Sequence, residues 1–369
     1  MKVCHITTVH RWNDIRIFQK QCVSLAKAGH ETHLIAPLAP EGQEQGVHMH
    51  GLRASKGRLD RGLRLTREAF ELAKALDADL YQLHDPELLP TASNLKKLGK
   101  IVIYDAHENV PASIRDKDWI PFAWFRRWVA YFFESYEQKV ASRLDGVISV
   151  AEPLVERFSH SRRLVLRNLP MLDRFEGNPL PAELTSAESG IVYAGGLSRI
   201  RNIHVMIQTM NELDGTELLH LFGPWESEAY REECMALPGW KYCRYWGFLD
   251  NEVVYSFMKS KGKLGLILFD PNIENHKIAL PNKAFEYMAA GLPIIMSDIP
   301  YWRENFMENA RFVDPSTPKE VSDAIVSVLN DESLRQTLIG QGKEKVKTLN
   351  WNAESQKLLE FYLTLRTKL

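Results

Sequence analysis

Cysteine is scarce and scattered. The four in the chain, Cys4, Cys22, Cys234 and Cys243, form no C-x-x-C pair, which argues against a zinc ribbon, a redox dithiol or a secreted disulfide framework. An excess of one charge is also lacking: 46 Lys and Arg stand against 47 Asp and Glu, a formal net charge of -1. No whole-protein field holds nucleic acid, and any anionic partner must be met by a local patch. No apolar run is long enough for a signal peptide or a membrane span. A G-x-G-x-x-G fingerprint is missing, and with it the usual signature of a nicotinamide cofactor. These absences predict a protein of the reducing cytoplasm that can touch a membrane but does not cross it.

What is present suffices for a large core. The chain has 369 residues, 45% apolar and 25% charged, which fits two domains. Short apolar runs alternate with longer amphipathic ones: "KVCHIT", "THLIAP", "LYQLH", "IVIYDAH" and "GVISV", then "GIVYAGG", "LLHLFG", "LGLILF" and "LPIIMSD". That alternation predicts an α/β protein with parallel sheets wrapped by helices. Between the two series, residues 166–190 are rich in Pro, Gly, Glu and Ser and read as a linker. The expected organisation is a Rossmann-like domain over 1–170, a second over 171–345, and a helix over 346–369 that packs back on the first. The ligand site is then expected in the cleft between two doubly wound halves, at the carboxyl ends of their strands.

One acid stands out. Glu286 sits in "ALPNKAFEYMAAGLPIIMSD" (279–298), where an apolar helix and strand need no carboxylate. Asn282 after Pro281 reads as an N-cap and Gly291 as the residue that closes the helix, with Pro293 before the next strand. Free backbone N–H groups near Asn282 and Lys283, together with the lysine charge, form an anion site suited to phosphate. Glu286 lies one turn on, where a carboxylate suits the paired hydroxyls of a ribose. A Lys283–Glu286 pair on a solvated helix face is the alternative. Upstream, "YAGGLSRIRNI" follows a strand: Gly195 and Gly196 allow close backbone approach to a ligand, and Arg199 and Arg201 bring charge to it.

In the first half, His107 in "IVIYDAHEN" falls at a strand's carboxyl end. Asp105, Glu108, His84 and Asp85 nearby could suggest a metal cluster, while "DAD" (77–79) precedes its strand and reads as a turn. Arg53, Lys56, Arg58, Arg61, Arg64 and Arg67 fall within one loop and helix start, a patch for a lipid diphosphate or anionic headgroups. In residues 119–140, Phe125, Val129, Phe132, Phe133, Tyr136 and Val140 share one helical face at about 100° per residue, expected to be the core. Trp124, Trp128 and Tyr131 form a neighbouring face beside Arg127, the composition of a membrane interface, though a second buried contact or a dimer interface would use the same residues.

"PNKAFEYMAAGLPIIMSD", "VYAGGLSRIRNI" and "YDAHEN" together resemble the retaining glycosyltransferases of family 4, which have the GT-B fold. The resemblance spans essentially the whole chain and is most specific in the second half. It implies that Glu286 holds the donor ribose, that Arg201 and Lys283 hold the diphosphate, and that His107 orients the donor sugar. It also implies that side chains and helix ends, not a metal ion, bind the diphosphate. Two departures stand out. The family's glutamate eight residues before Glu286 is Ile278 here, leaving Glu274 and Asn275 as the nearest polar candidates to contact the sugar. Paired glycines after the first strand are replaced by "TVHRWNDIR", in which Asp14 and Arg16 are candidates for the acceptor side.

The reading that follows is a metal-independent glycosyltransferase without a cofactor. It would take a UDP- or GDP-linked sugar as donor and a glycan, lipid-linked, as acceptor, at the inner face of the cytoplasmic membrane. A sugar-nucleotide epimerase of the same architecture and a non-catalytic nucleotide-binding scaffold are the rivals.

Overall fold

The computed structural model describes residues 1–116, 121–176 and 179–366. Trp119 and Ile120, the start of the aromatic stretch, and the last three residues of the chain lie outside them. The chain divides into two compact units, Met1–Asn168 with Asn352–Leu369, and Leu169–Trp351.

In the first unit, eight strands form one sheet in the order Gly42–Glu44, Val47–Leu52, Glu31–Pro37, Lys2–Ile6, Leu80–Leu83, Ile101–Ala106, Gly146–Ser149 and Arg163–Val165. All pairings are parallel except that of Gly42–Glu44 with Val47–Leu52. Central strands are buried on both faces, which is why they read as unbroken apolar runs rather than alternating ones. The strand order reverses between Lys2–Ile6 and Leu80–Leu83, and their carboxyl ends lead into Thr7–His10 and His84–Asp85. That reversal is where open α/β sheets bind ligands.

The second unit has six parallel strands in the order Cys243–Tyr245, Leu219–Phe222, Gly190–Ala194, Gly262–Ile267, Ile294–Ser297 and Ala310–Val313. Its order reverses between Gly190–Ala194 and Gly262–Ile267. Tyr287 fixes the packing above them: its ring lies where a Cβ on Gly265 would fall, 2.2 Å from Cδ2. The GT-B expectation of two parallel α/β sheets is met by this architecture.

Residues 166–190 are less of a free linker than their composition suggests. Leu169, Phe175 and Leu184 are buried in the second core, around the short turns Leu172–Phe175 and Ala182–Thr185. Three apolar anchors suffice to pin a polar segment. At the chain's end, Tyr362 of the helix Trp351–Arg366 is fully buried in the first unit, bonded to His5 and Gln82.

Candidate functional site

The helix Asn282–Ala290 follows the strand Gly262–Ile267 and begins one residue earlier than its composition suggests. Pro281, at φ -72 and ψ 120, is the flanking residue and Asn282 is the first helical one, exposed and making no side-chain cap. Proline takes that place because its fixed φ enters the helix without costing a hydrogen bond. Gly291 closes the helix at φ 76, a left-handed conformation that suits glycine. Ala284, Phe285, Tyr287 and Met288 face the core, which leaves Lys283 and Glu286, both half-buried, on the opposite side.

Lys283 and Arg201 converge on one backbone turn. A Cβ on Gly195, itself at φ 140, would stand 2.3 Å from Lys283 Nζ, and one on Gly196 would stand 2.5 Å from Arg201 Nη1. Only glycine lets two cations come this close to the chain. Arg201 Nη1 donates to Gly196 O at 3.0 Å, and its guanidinium carbon lies 5.6 Å from the Phe269 ring centre. The loop carrying Phe269 is tied to the same turn where Asp270 N donates to Ile200 O at 2.9 Å. Lys283 Nζ lies 5.5 Å over Tyr193. Burial first, and then the Arg201 charge, lower the Lys283 pKa to about 8 against the opposing pull of Glu286. A lysine that costs the fold this much to keep charged is poised for an anion.

Glu286 is held from the side. Tyr255 donates its hydroxyl to Glu286 Oε1 at 3.1 Å, and the Tyr255 ring stacks on Phe175 at 4.1 Å. Tyr255 carries no motif, and its role depends on an aromatic partner 80 residues away in sequence, so pattern reading passes it over. The structure does not bring Arg199 to this cluster. It is exposed, paired with Glu233 and set 4.9 Å over the Tyr230 ring. Glu274 is also exposed and pairs with Lys277 at 2.7 Å, whereas Asn275 and Ile278 are half-buried on the same short helix, Glu274–Ile278.

In the first unit, the switch point collects histidines and carboxylates. Asp105 is fully buried and accepts from Arg16 Nη2 at 2.9 Å, Gln21 Nε2 at 3.0 Å and Gln82 Nε2 at 3.0 Å. Burial pushes its pKa up, but Arg16 and then His107 more than offset this and hold it well below the usual carboxylate range. Arg16, a candidate for the acceptor side, is thus turned inward, with its second amino group on Leu166 O at 2.8 Å. Asp14 stays half-buried at the surface. It caps the helix that starts at Ile15 by accepting from Ile17 N at 2.9 Å, and His10 Nδ1 lies 3.5 Å away. His10 stands between Asp14 and Asp85, 3.7 Å from the latter, and its ring lies 5.3 Å from that of His107. His84, Asp105 and His107 bring three possible ligand atoms within 4.8 Å, but Asp105 already takes three donors from protein. Glu108 is exposed and outside this group.

The aromatic helix Ala123–Ala141 packs Phe125, Val129, Phe133 and Val140 on apolar neighbours as expected, but is turned part of the way from the expected face. Ala130, Glu137, Val140 and Ala141 are its buried residues, while Phe132 and Tyr136, expected in the core, are exposed. Glu137 sets the rotation: it accepts from Tyr104 Oη at 3.0 Å and from Arg157 at 3.1 Å, and a buried acid with two donors takes precedence over apolar count. Trp124, Trp128 and Tyr131 are 67%, 54% and 65% exposed, with Arg127 exposed beside them. The basic patch is reduced. Arg53 pairs with Asp60 and Glu68, and Arg61 with Glu87, which leaves Lys56, Arg64 and Arg67 exposed next to Leu59 and Leu63, 82% and 72% exposed.

Residues 16–166 match the glycosyl transferase 4-like domain and residues 188–331 the glycosyl transferases group 1. The phosphatidyl-myo-inositol mannosyltransferase of Mycolicibacterium smegmatis is 22% identical across 92% of this chain and 87% of its own. Its counterpart in Mycobacterium leprae is 24% identical, over 43% of this chain and 40% of that one. Among solved structures, sucrose-phosphate synthase from Thermosynechococcus elongatus aligns at a TM-score of 0.79 with 17% identity over 100% of both chains. Anabaena HepE in complex with UDP-glucose aligns at 0.72 with 13% identity, over 99% of this chain and 100% of that one. Matched by these two profiles in succession, the chain belongs to the retaining glycosyltransferases of family 4, with the GT-B fold.

Proposed function

We propose that the protein moves a sugar from a UDP- or GDP-linked donor to a lipid-carried glycan acceptor, in the synthesis of cell-surface polysaccharide or glycoconjugate. Configuration is retained and no metal ion is required. The observation that carries this reading is the pair Lys283 and Arg201 against the Gly195–Gly196 backbone, with Glu286 one helical turn further on. Two fixed cations suit a diphosphate, and the carboxylate suits ribose hydroxyls. As the bond from sugar to diphosphate breaks, negative charge grows on the phosphate, and cations already in place stabilise that state more than the ground state. His107 orients the sugar in this reading, and Asp14 lies on the acceptor side.

Turnover of labelled donor with and without acceptor tests it. Transfer only with acceptor supports the reading; a changed sugar without acceptor marks an epimerase, and no turnover marks a scaffold. Activity is expected to survive EDTA, whereas an absolute need for a divalent ion would overturn the metal-free assignment. Glu286→Ala should weaken nucleoside diphosphate binding by about 1.5–3 kcal/mol, the worth of hydrogen bonds to a charged group. Unchanged affinity in a folded variant would remove the ribose role. Thermal shifts with UDP, GDP and ADP identify the base, because ligand at a hundred times its Kd stabilises by about 2.7 kcal/mol.

For the acceptor, the named substrate of the mycobacterial relatives is a phosphatidylinositol, and the exposed aromatic helix fits a lipid surface. No helix among the described residues is long and apolar enough to cross a membrane. Trp124, Trp128 and Tyr131 beside Arg127 suit the headgroup region, where amphipathic rings and basic side chains both find partners. In this reading the protein binds peripherally at the inner face of the cytoplasmic membrane. Binding to anionic vesicles should weaken with added salt, and Trp124→Ser with Trp128→Ser should reduce it without unfolding the protein. A double variant that still sediments with vesicles as wild type does would assign membrane contact elsewhere.

A further inference from the structure

A chain of single-proton hydrogen bonds runs from the C-terminal helix to His107. Asp105 is its fixed end, because an ionised carboxylate only accepts. Gln21 and Gln82 both turn their NH2 groups to Asp105 Oδ2 at 3.0 Å, and Gln82 Nε2 also donates to Gln21 Oε1 at 2.6 Å. Gln82 Oε1 is then left for Tyr362, which donates its only proton there at 2.6 Å. The Tyr362 oxygen faces His5 Nε2 at 3.2 Å and, its proton committed, accepts from it. A neutral His5 therefore has a bare Nδ1, which takes a proton from His84 Nε2 at 2.9 Å. His84 in turn has a bare Nδ1, 3.2 Å from His107 Nε2. His107 Nε2–H must point there, towards the space it shares with Asp105 Oδ2 at 3.5 Å.

The geometry points to Tyr362, His5 and His84 as positioning residues that hold His107 in the Nε2–H tautomer and leave its Nδ1 as an acceptor for a ligand hydroxyl. The counting needs neutral His5 and His84. Both are buried, and burial, the largest influence on each, lowers their pKa values from the ordinary histidine range. The opposite assignment, with His84 Nδ1–H on Asp105 at 3.3 Å, would set the bare Nε2 of His5 against a tyrosine oxygen whose proton is already spent. Two facing lone pairs between buried groups are costly. In the stated assignment the bare Nδ1 of His84, 3.3 Å from Asp105 Oδ2, shares with that oxygen the His107 Nε2–H, whose nitrogen lies 3.2 Å from the one and 3.5 Å from the other. That the ligand hydroxyl belongs to the donor sugar rests on the function proposed above; the tautomer itself does not.

Imidazole 15N spectra of the full-length protein labelled at histidine, with His107 assigned by its loss in His107→Gln, test the relay directly. A protonated Nε2 and a bare Nδ1 are expected for His107 in wild type, and the reverse pattern, or a histidine bound to stoichiometric metal, overturns the inference. Tyr362→Phe frees the His5 proton from its partner, so the His107 signals should move towards the tautomeric average. Its kcat should fall about two- to tenfold, the worth of one hydrogen bond, at unchanged nucleotide KM. Wild-type signals and kcat in a folded Tyr362→Phe also overturn it. If the tautomer is as stated but His107→Gln turns over normally, the sugar-orienting role fails and the relay stands.

Discussion

Lys283→Ala is expected to lower kcat and kcat/KM together by about 100- to 1000-fold, what removing one preorganised donor of charge stabilisation costs, with KM little changed. Arg201→Ala should act in the same direction, because its guanidinium is fixed on Gly196 O at 3.0 Å and needs no reorganisation as phosphate charge develops. The pH profile separates the two. Lys283 loses its proton near pH 8 in the free protein, so kcat/KM should fall as pH rises through that value. Arg201 is one cause of the depression, so in Arg201→Ala the alkaline limb should shift to higher pH, and a limb that stays in place would detach it from Lys283.

The same lysine predicts an effect on stability with the opposite sign. Its folded pKa lies below the ordinary lysine value, so between about pH 8 and that value the unfolded chain holds more protons. Stability contributed by this group therefore rises with pH across that window and is lowest below it. Lys283→Met removes a charge that is costly to bury, so its denaturation midpoint near neutral pH should equal or exceed that of wild type while activity is lost. A variant that loses both would show a structural cation instead.

Much of the cluster around Lys283, Arg201 and Glu286 is legible in the sequence. The helix Asn282–Ala290, its Gly291 end and the strands around it follow from punctuation by Pro and Gly and from unbroken apolar runs, which are local signals. Lys283 and Glu286 share a face by spacing alone. What the sequence does not reveal depends on partners distant along the chain. A helical wheel for Ala123–Ala141 counts aromatics but contains neither Tyr104 nor Arg157, the two donors that draw Glu137 inward. Arg16 reads as a surface cation, yet Asp105, 89 residues on, turns it into the core. Tyr255 and Tyr362 have no motif; each matters through one hydroxyl placed by the fold.

That inward pair sets the second large effect. Asp105→Ala leaves the Arg16 guanidinium buried, with only Leu166 O among its observed partners, and also takes from the Gln21 amide its observed acceptor and from the Gln82 amide one of two. Breaking a buried ion pair from one side costs about 3–5 kcal/mol, mostly from the stranded charge. Replacing both partners, as Arg16→Met with Asp105→Leu, should therefore restore much of what the single variant loses. The pair also shapes acid unfolding. The folded pKa of Asp105 lies well below the ordinary carboxylate range, so its contribution is complete above that range and is lost as pH falls towards the folded value. Denaturant midpoints taken from pH 7 downward should fall more steeply for wild type than for Asp105→Asn, which keeps the shape but has no proton to gain. Equal slopes would mean that Asp105 is not ionised in the fold, and the amide orientations that follow from its charge would have to be reversed.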